Sequence, residues 1–485
     1  LKKRFLMNYS MIVYLLGWIL NFEAIFLVIP AITAVIYGES EFFSFLITIG
    51  ICLLIGLLII FLGKPKKKTI YTREGFVIVA LSWIVLSIFG ALPFIISGSI
   101  PSFTDALFET VSGFTTTGAT ILSDVEVLPK SILLWRSFTH WIGGMGVLVF
   151  ILAFLPLSGA QNMNLMKAES PGPSVSKLVP KVKTTALILY SMYFGLTILQ
   201  FILLILGGTP VFDSINIAFA TAGTGGFGIK NDSLASYSDY VQIVTTVFML
   251  LFGINFNIYF LLIMRKFRDA LKNSEMRAYF VVIAAAVFII TLNIGGTFES
   301  IGEAIKHITF TVAAIITTTG FMTVDFNLWP ELSRTILVLI MFIGACAGST
   351  GGGIKISRFI ILFKSMAKEI RLLIHPNQIK KLEIDGHKID HNVIRSTNVY
   401  MVCYLLIFAI SVLLISFDNH SLLTNFTAVA TTINNVGPGL DMVGPTQNFS
   451  FFSDASKLVL IFNMIAGRLE LFPVLLLFSP VTWKK

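Results

Sequence analysis

Apolar runs of about 20 residues recur along the whole of this chain, and each is long enough to cross a bilayer as a helix. No polar stretch between them is long enough to bury a core of its own. Only 13% of the residues are charged, whereas soluble domains average about 25%. The first run follows Leu1-Lys2-Lys3-Arg4 without a small-residue cleavage pattern, so we expect no cleaved leader. The sequence therefore predicts a multi-pass membrane protein surrounded by lipid.

The basic stretches alternate, span by span, with connections that are neutral or acidic, such as 38–41 and 123–126. This alternation follows the positive-inside rule, so we expect both termini and all basic connections in the cytoplasm. The net charge of +9 does not indicate a nucleic-acid partner, because no folded domain carries a basic face. The basic stretches are Lys2–Arg4, Lys64–Lys68, Lys167–Lys183, Arg265–Arg277, Lys364–Arg395 and Lys484–Lys485.

One pattern occurs four times after an N-terminal pair of spans, Met11–Tyr37 and Phe42–Leu62. Each copy has an apolar span, a short half-apolar segment, a Thr/Gly-rich or Asn/Gly-rich stretch and a second span. The paired spans are expected at Gly75–Ile96 and Ser131–Leu155, Thr184–Leu206 and Val241–Met264, Arg277–Asn293 and a segment from Thr335, and Val393–Ser416 and Lys457–Phe478.

We therefore predict an all-α integral membrane protein with ten spans and four short pore helices. Four helix–pore-loop–helix repeats would surround one pore with pseudo-fourfold symmetry, and a two-helix hairpin would precede them. The expected units are the N-terminal hairpin at 1–68 and the repeats at 69–160, 161–270, 271–375 and 376–485.

The short segment of each copy begins with a residue that suits the first turn of a helix. In the third copy the position 13 residues before Gly320 is His307, so we expect that helix to begin earlier, at Glu303. The other three copies share a 13-residue spacing from this residue to a glycine: Asp105 to Gly118, Asp213 to Gly226 and Thr424 to Gly437.

Four re-entrant stretches imply a central aqueous path, because non-helical backbone at membrane depth must face protein or water. Carbonyl oxygens of such backbone can replace the hydration shell of a monovalent cation, and the C-terminal ends of the short helices favour positive charge. A single Thr-Thr-Gly would more simply be a helix-packing site; four equivalent copies favour an ion filter. The predicted cation-binding residues of this filter are Thr116, Thr117, Gly118, Thr224, Gly225, Gly226, Thr318, Thr319, Gly320, Asn435, Val436 and Gly437.

These stretches resemble the Trk/Ktr/HKT superfamily of potassium transporters, and within it the Trk-type membrane subunit (TrkH/TrkG). The resemblance implies one filter glycine in each repeat, and serine often replaces the first in relatives that pass sodium. Departures from a symmetric potassium-channel filter at 225–227 and 436–438 imply looser selectivity. The resemblance covers nearly the whole chain from Arg73, and it rests on Thr115–Thr120, Gly225–Gly228, Thr317–Phe321, Asn434–Leu440 and Gly344–Lys355.

The stretch Gly344–Lys355 interrupts the second span of the third copy, because consecutive glycine and hydroxyl residues cannot continue a stable helix. A phosphate-binding loop is excluded, since Ile356 follows Lys355 and no strand precedes the stretch. The resemblance implies an intramembrane gate there, with Arg468 as a positive barrier under the filter. The expected gate residues are Gly344, Gly348, Ser349, Thr350, Gly351, Gly352, Gly353, Lys355 and Arg468.

The two basic residues in this set each have a second interpretation. Arg468 could pair with Glu470, or with another helix, and only fix the packing; ionisable residues at this depth are functional by default. Lys355 could extend to the cytoplasmic surface and contribute less to the gate.

The expected function is potassium uptake across the bacterial cytoplasmic membrane, driven by the membrane potential. The resemblance implies a homodimer and a cytosolic nucleotide-binding partner of the RCK type (TrkA). ATP or ADP would bind only to that partner, and this chain would hold no cofactor. The alternatives are an ion-coupled symporter, or a less selective potassium/sodium transporter. A membrane enzyme is not expected, because the six histidines are scattered and no catalytic cluster occurs in the spans.

Overall fold

The computed structural model describes residues 7–65, 70–146, 182–377 and 382–483. The predicted basic stretches at Lys2–Arg4 and Lys484–Lys485 lie outside the described residues. So do most of Lys64–Lys68, nearly all of Lys167–Lys183 and the end of the predicted span Ser131–Leu155.

The N-terminal hairpin consists of α1 (Tyr9–Tyr37) and α2 (Phe42–Leu62), close to the predicted spans. The two helices approach through glycines, because a Cβ on Gly17 would lie only 2.8 Å from the carbonyl oxygen of Gly56. The largest buried apolar cluster then joins this hairpin to the first and fourth copies of the repeated pattern.

Four times along the chain a long helix is followed by a short one. The long helices are α3 (Thr72–Gly90) with its continuation α4 (Leu92–Ile96), α7 (Val182–Leu206), α12 (Ser274–Ile294) and α16 (His391–Ile415). The short helices are α5 (Phe103–Phe114), α8 (Val211–Gly223), α13 (Ile301–Ile316) and α17 (Leu422–Asn434). The third short helix begins at Ile301, two residues before the expected Glu303, and the serine that precedes it accepts a hydrogen bond from the Glu303 amide.

A second helical segment follows the short helix in each copy, and it is broken into two helices in the second, third and fourth copies. These segments are α6 (Lys130–Gly144), α9 (Asp239–Phe252) with α10 (Phe256–Ile263), α14 (Glu331–Ile343) with α15 (Ile356–Ile374), and α18 (Asp454–Arg468) with α19 (Phe472–Phe478). The connections contain α11 (Phe267–Lys272), an antiparallel pair β1 (Glu383–Ile384) and β2 (His387–Lys388), α20 (Pro480–Trp483), and 3-10 turns at Gly295–Thr297, Phe326–Leu328, Ser416–Asp418 and Asp441–Val443.

Within the described residues, six helices are long and apolar enough to cross a membrane, or seven if α9 and α10 are one bent span. Two of the expected spans, Val241–Met264 and Lys457–Phe478, are interrupted. The first bends by 91° between α9 and α10, and the second is interrupted at residues 469–471, where Glu470 and Leu471 have φ of +56° and +66°. The break after α9 persists because its backbone groups hydrogen-bond to the loop Gly344–Lys355 instead of continuing the helix.

Candidate functional site

The four short helices end in the same backbone motif despite their different sequences. The residue after each helix, or one beyond it, adopts a left-handed conformation, with φ of 55° to 59° at Thr116, Thr224, Thr318 and Asn435. In each copy the next residue donates its N–H to a carbonyl five residues earlier, at 2.8–2.9 Å. This is a Schellman motif, in which glycine is usual at the left-handed position. Threonine there is held against its own preference by the surrounding structure.

The glycine two residues after each left-handed residue has no room for a side chain. A Cβ on Gly118 would lie 2.0 Å from the carbonyl oxygen of Gly225, and one on Gly226 would lie 1.8 Å from that of Thr319. The contacts continue from Gly320 to the Val436 oxygen, at 2.2 Å, and from Gly437 to the Thr117 oxygen, at 2.7 Å.

The four loops therefore close into a ring, in which each glycine packs on the carbonyl that precedes the glycine of the next copy. We call Gly118, Gly226, Gly320 and Gly437 the glycine ring. A cavity of about 170 Å³ is lined by all four of its members and by polar residues that include Lys230, Asn231 and Gln447. The twelve residues predicted to bind potassium all belong to these four loops, so the structure brings the whole set together.

Side chains behind the ring tie the loops to one another. The amide of Asn435 donates to the Thr117 hydroxyl, at 2.9 Å, and to the carbonyl of Met464, also at 2.9 Å. The hydroxyls of Thr115 and Thr117 lie 2.8 Å apart, and those of Thr317 and Thr319 are equally close. These contacts join the fourth loop to the first and stiffen two of the four strands of backbone.

A buried ion pair supports the first and second loops. The carboxylate of Glu109 in α5 lies 2.8 Å from the guanidinium of Arg136 in α6, and both side chains are almost fully buried. Glu109 also accepts hydrogen bonds from the Thr120 hydroxyl and the Ile121 amide. Arg136 donates to the Gly228 carbonyl, at 3.2 Å. The pair thereby couples the residues that follow the glycine in two neighbouring loops.

His140 in α6 connects the first short helix to the second loop. Its Nδ1–H donates to the carbonyl of Gly113, at 2.8 Å, and its Nε2 accepts the N–H of Phe227, at 3.3 Å. A carbonyl only accepts, so these bonds define a neutral tautomer. The imidazole also occupies the space beside Gly225, since a Cβ there would lie 2.2 Å from Nδ1.

The unwound stretch Gly344–Lys355 lies against the parts of the third and fourth loops that precede the glycines. We call this side of the glycine ring its inner side. The amide of Gly352 donates to the Thr318 hydroxyl, at 2.6 Å, and that of Gly353 donates to the Asn434 carbonyl, at 3.0 Å. Its first half fills the break between α9 and α10, where Cys346 N–H donates to the Gly253 carbonyl, at 3.1 Å. The cavity touches residues that follow the glycines, whereas this stretch touches residues that precede them. The two features therefore lie on opposite sides of the ring.

Arg468 connects this stretch to the end of α6. Its guanidinium donates to the carbonyls of Thr350, Gly143 and Gly144, at 2.6–2.7 Å. The Arg468–Glu470 alternative is wrong, because Glu470 forms its ion pair with Arg358. The guanidinium carbon of Arg358 also lies 3.9 Å from the ring centre of Tyr400.

Lys355 does not reach the surface. It is buried, and its ammonium group donates to the carbonyl of Gly351 within the same stretch. Its position inside the protein excludes the expected alternative of a side chain extended into the cytoplasm.

This architecture can be compared with known proteins. A family model described as a cation transport protein, TrkH, matches residues 41–485. The chain belongs to the TrkH family. The "Trk system potassium uptake protein TrkH" of Salmonella typhimurium is 34% identical over 99% of this chain and 100% of its own length. The "Trk system potassium uptake protein TrkG" of Escherichia coli is 35% identical over 98% of each chain.

The crystal structure of the potassium transporter TrkH from Vibrio parahaemolyticus superposes with a TM-score of 0.89. It is 32% identical in sequence and covers 99% of this chain and 100% of its own. The all-α membrane fold and the resemblance to Trk-type transporters are thereby confirmed. As a member of the TrkH family, the chain is a transporter and not an enzyme.

Sequence reasoning missed the Glu109–Arg136 pair and the carboxylate of Glu275, which binds the backbone around the unwound stretch. The sequence did contain a signal for both sites, because Glu109, Arg136 and Glu275 are ionisable residues inside or beside apolar segments. Their partners are 27 and 72 residues away in the sequence, so spacing alone could not pair them.

Proposed function

We propose that this chain mediates potassium uptake across the bacterial cytoplasmic membrane through a channel-like pore whose selectivity filter is the glycine ring. The observation that carries the proposal is the cyclic packing of four glycines on four carbonyls around one cavity. The relatives named above as potassium uptake proteins support the choice of ion.

In this proposal the backbone of the four loops replaces the hydration shell of potassium. Three of the four short helices also end within two residues of a loop threonine with left-handed backbone, where the helix stops and the loop begins. The C-terminal ends of α5, α8, α13 and α17 add partial negative charge towards the ion. The twelve loop residues named from the sequence are the proposed potassium-binding set, with potassium as the substrate.

The stretch Gly344–Lys355 acts as the gate in this scheme, and Arg468 is the positive barrier beside it. Since the stretch touches Thr318 and Asn434 directly, an ion leaving the filter inward meets it at once. Between α14 and α15 the stretch is held in place by hydrogen bonds. Moving it requires the loss of its hydrogen bonds to α9, α10 and Arg468, and of those to Glu275, Thr318 and Asn434.

The remaining expectations complete the proposal. Both termini and the basic connections face the cytoplasm. The chain divides into the N-terminal hairpin at 1–68 and the four repeats at 69–160, 161–270, 271–375 and 376–485. The protein works as a homodimer with a cytosolic RCK-type partner that holds ATP or ADP. The support for this partnership is membership of the TrkH family.

The test is cation flux into liposomes that contain the purified protein alone, with potassium, rubidium, sodium and lithium compared. We expect preference for potassium and rubidium in the wild type and a higher sodium-to-potassium ratio for Gly118→Ser, since any Cβ there displaces the Gly225 carbonyl. Shortening of the stretch by deletion of residues 351–353 should increase flux at an unchanged ratio. Equal sodium and potassium flux in the wild type would remove the filter assignment, and flux that requires a proton or sodium gradient would favour the coupled symporter.

A further inference from the structure

One carboxylate holds the backbone at both ends of the proposed gate. Glu275, the second residue of α12, accepts the N–H of Ala347 at 2.7 Å and the N–H of Ser357 at 3.2 Å, both at Oε1. The first donor lies near the start of the unwound stretch, and the second lies just after its end. The side chain of Asn255, in the break between α9 and α10, also hydrogen-bonds to this carboxylate.

This arrangement constrains the gate more than its own sequence does. The glycine-rich backbone between these two donors has little conformational preference of its own. Glu275 is largely buried, so its bonds are not exchanged freely for water. A shift of Glu275 would therefore displace both ends of the stretch together.

The residue before Glu275 is held from the other side by the β1–β2 hairpin. The hairpin turn contains Asp385, and its carboxylate accepts the N–H of Ser274 at 2.9 Å as well as the Ser274 hydroxyl. The amide of Asn273 also donates to Asp385, at 3.5 Å. Asp385 thereby caps the first turn of α12, where the positive end of the helix dipole favours a carboxylate.

The same hairpin contacts the helix that leaves the gate. The ammonium group of Lys364 in α15 donates to the Glu383 carbonyl, at 2.8 Å. The hairpin therefore bridges α12 and α15, the two helices whose N-termini carry Glu275 and Ser357. Its turn and both strands are otherwise exposed at the surface.

We propose that the hairpin, residues 382–389, controls the gate through Ser274 and Glu275, with Glu275 as the positioning residue for the stretch Gly344–Lys355. A force on the exposed hairpin displaces Asp385 and, through its bonds to Ser274, the first turn of α12. The two hydrogen bonds at Glu275 then transmit this displacement to the backbone of the gate. The proposal rests on the proposed function, in that the stretch is the gate.

The first experiment compares potassium flux in liposomes for Asp385→Ala, Asp385→Asn and Asp390→Ala. Asp390 is the matched control: it is exposed, lies five residues along, and caps α16 through the Asn392 amide instead of α12. We expect Asp385→Ala to increase flux about tenfold, the ratio that corresponds to one charge-assisted hydrogen bond. Asp385→Asn should largely restore wild-type flux because its side-chain oxygen can still accept, and Asp390→Ala should leave flux unchanged.

A second readout follows the gate itself. Cys346 lies in the stretch and Cys52 lies in α2, and both are fully buried. In a protein with Cys403 replaced by alanine, Asp385→Ala and Glu275→Ala should accelerate alkylation of Cys346 and leave Cys52 unchanged. Equal acceleration at both thiols would mean general loosening of the fold and would overturn the proposal.

The outcomes separate this inference from the function on which it rests. If deletion of residues 351–353 increases flux while Asp385→Ala and Glu275→Ala behave as wild type, the gate stands and the hairpin linkage is wrong. If the deletion leaves flux unchanged, the gate assignment and the linkage both fail. If the linkage is correct, Asp385→Ala adds nothing to the flux of the deletion variant.

Discussion

The glycine ring and the region on its inner side are built in opposite ways. At the ring, backbone packs on backbone in four nearly identical copies, with φ values of 77° to 97° at the four glycines. On the inner side the copies differ: α9 and α10 are separated by three residues, α14 and α15 by twelve, and α18 and α19 by three. Side chains such as Arg468 and Glu275 hold these breaks through bonds to backbone. Close backbone packing leaves one arrangement, whereas side-chain bonds can be released one at a time.

This difference teaches why a single chain would keep four unequal repeats. Coordination of an ion by a ring of carbonyls requires equivalent backbone but not equivalent side chains. In the proposed function one copy supplies the blocking segment, so the second and fourth copies can keep breaks of three residues and contact the long break of the third. Four predictions can break or sharpen this comparison.

The largest effect is expected at the ring. Gly226→Ala would place a Cβ 1.8 Å from the Thr319 carbonyl oxygen, and this oxygen belongs to backbone that cannot rotate away. We expect potassium flux to fall by about a hundredfold or more, since relief of such a clash costs several kcal/mol. Gly195→Ala in α7 is the control, because nothing lies within 4 Å of its added Cβ. Normal flux from Gly226→Ala would refute the idea of a tightly packed ring.

The second effect concerns support of the ring from behind. Glu109→Gln leaves the buried Arg136 guanidinium without its counter-charge, and loss of one partner of a buried pair costs about 3 kcal/mol. The unfolding midpoint in detergent should fall, and the potassium-to-sodium ratio should fall with it. The comparison is Asp105→Asn, which breaks the pair between the partly exposed Asp105 and Lys457 and should lower the midpoint less. A larger effect from Asp105→Asn would contradict the prediction.

The third effect is on the inner side, where flux should rise instead of falling. Arg468→Gln removes the charge from three hydrogen bonds to Thr350, Gly143 and Gly144. We expect flux to increase about tenfold at an unchanged potassium-to-sodium ratio, because the ring is not touched. Arg334→Gln, which breaks a pair with the exposed Glu331, serves as the control. A changed ratio would show that the two regions are not separable.

The smallest effect lies in the outer connection after the fourth loop. Hydrogen bonds from the hydroxyls of Ser421 and Thr424 lower the pKa of Asp441 below its usual value. A carboxyl with a depressed folded-state pKa stabilises the fold above its unfolded pKa, near 4, and loses that contribution as the pH falls through the folded value. The contribution should be below about 1 kcal/mol because the group is partly exposed. A thermal-unfolding series from pH 6 to pH 3 should show Asp441→Asn losing less stability than the wild type on acidification.

The sequence by itself determined the long helices, the start of each short helix and the identity of the four glycines. Each is a local property: the length of an apolar run, a capping residue in the first turn, and a fixed spacing of 13 residues in three of the copies. The twelve-residue interruption at Gly344–Lys355 was equally visible, since its glycines and hydroxyl residues disfavour a helix.

Only the tertiary structure decided what these elements contact. The break after Phe252 forms because backbone bonds to Gly344–Lys355 of the third copy replace the helical ones, and the break after Arg468 holds two ionisable side chains, those of Arg468 and Glu470, that bind to other copies. Arg468 meets carbonyls 118 and 325 residues away, and Glu470 meets Arg358 instead of its neighbour. Local propensity fixes how a segment folds, whereas the partners of a buried charge depend on which repeats the closed ring brings side by side.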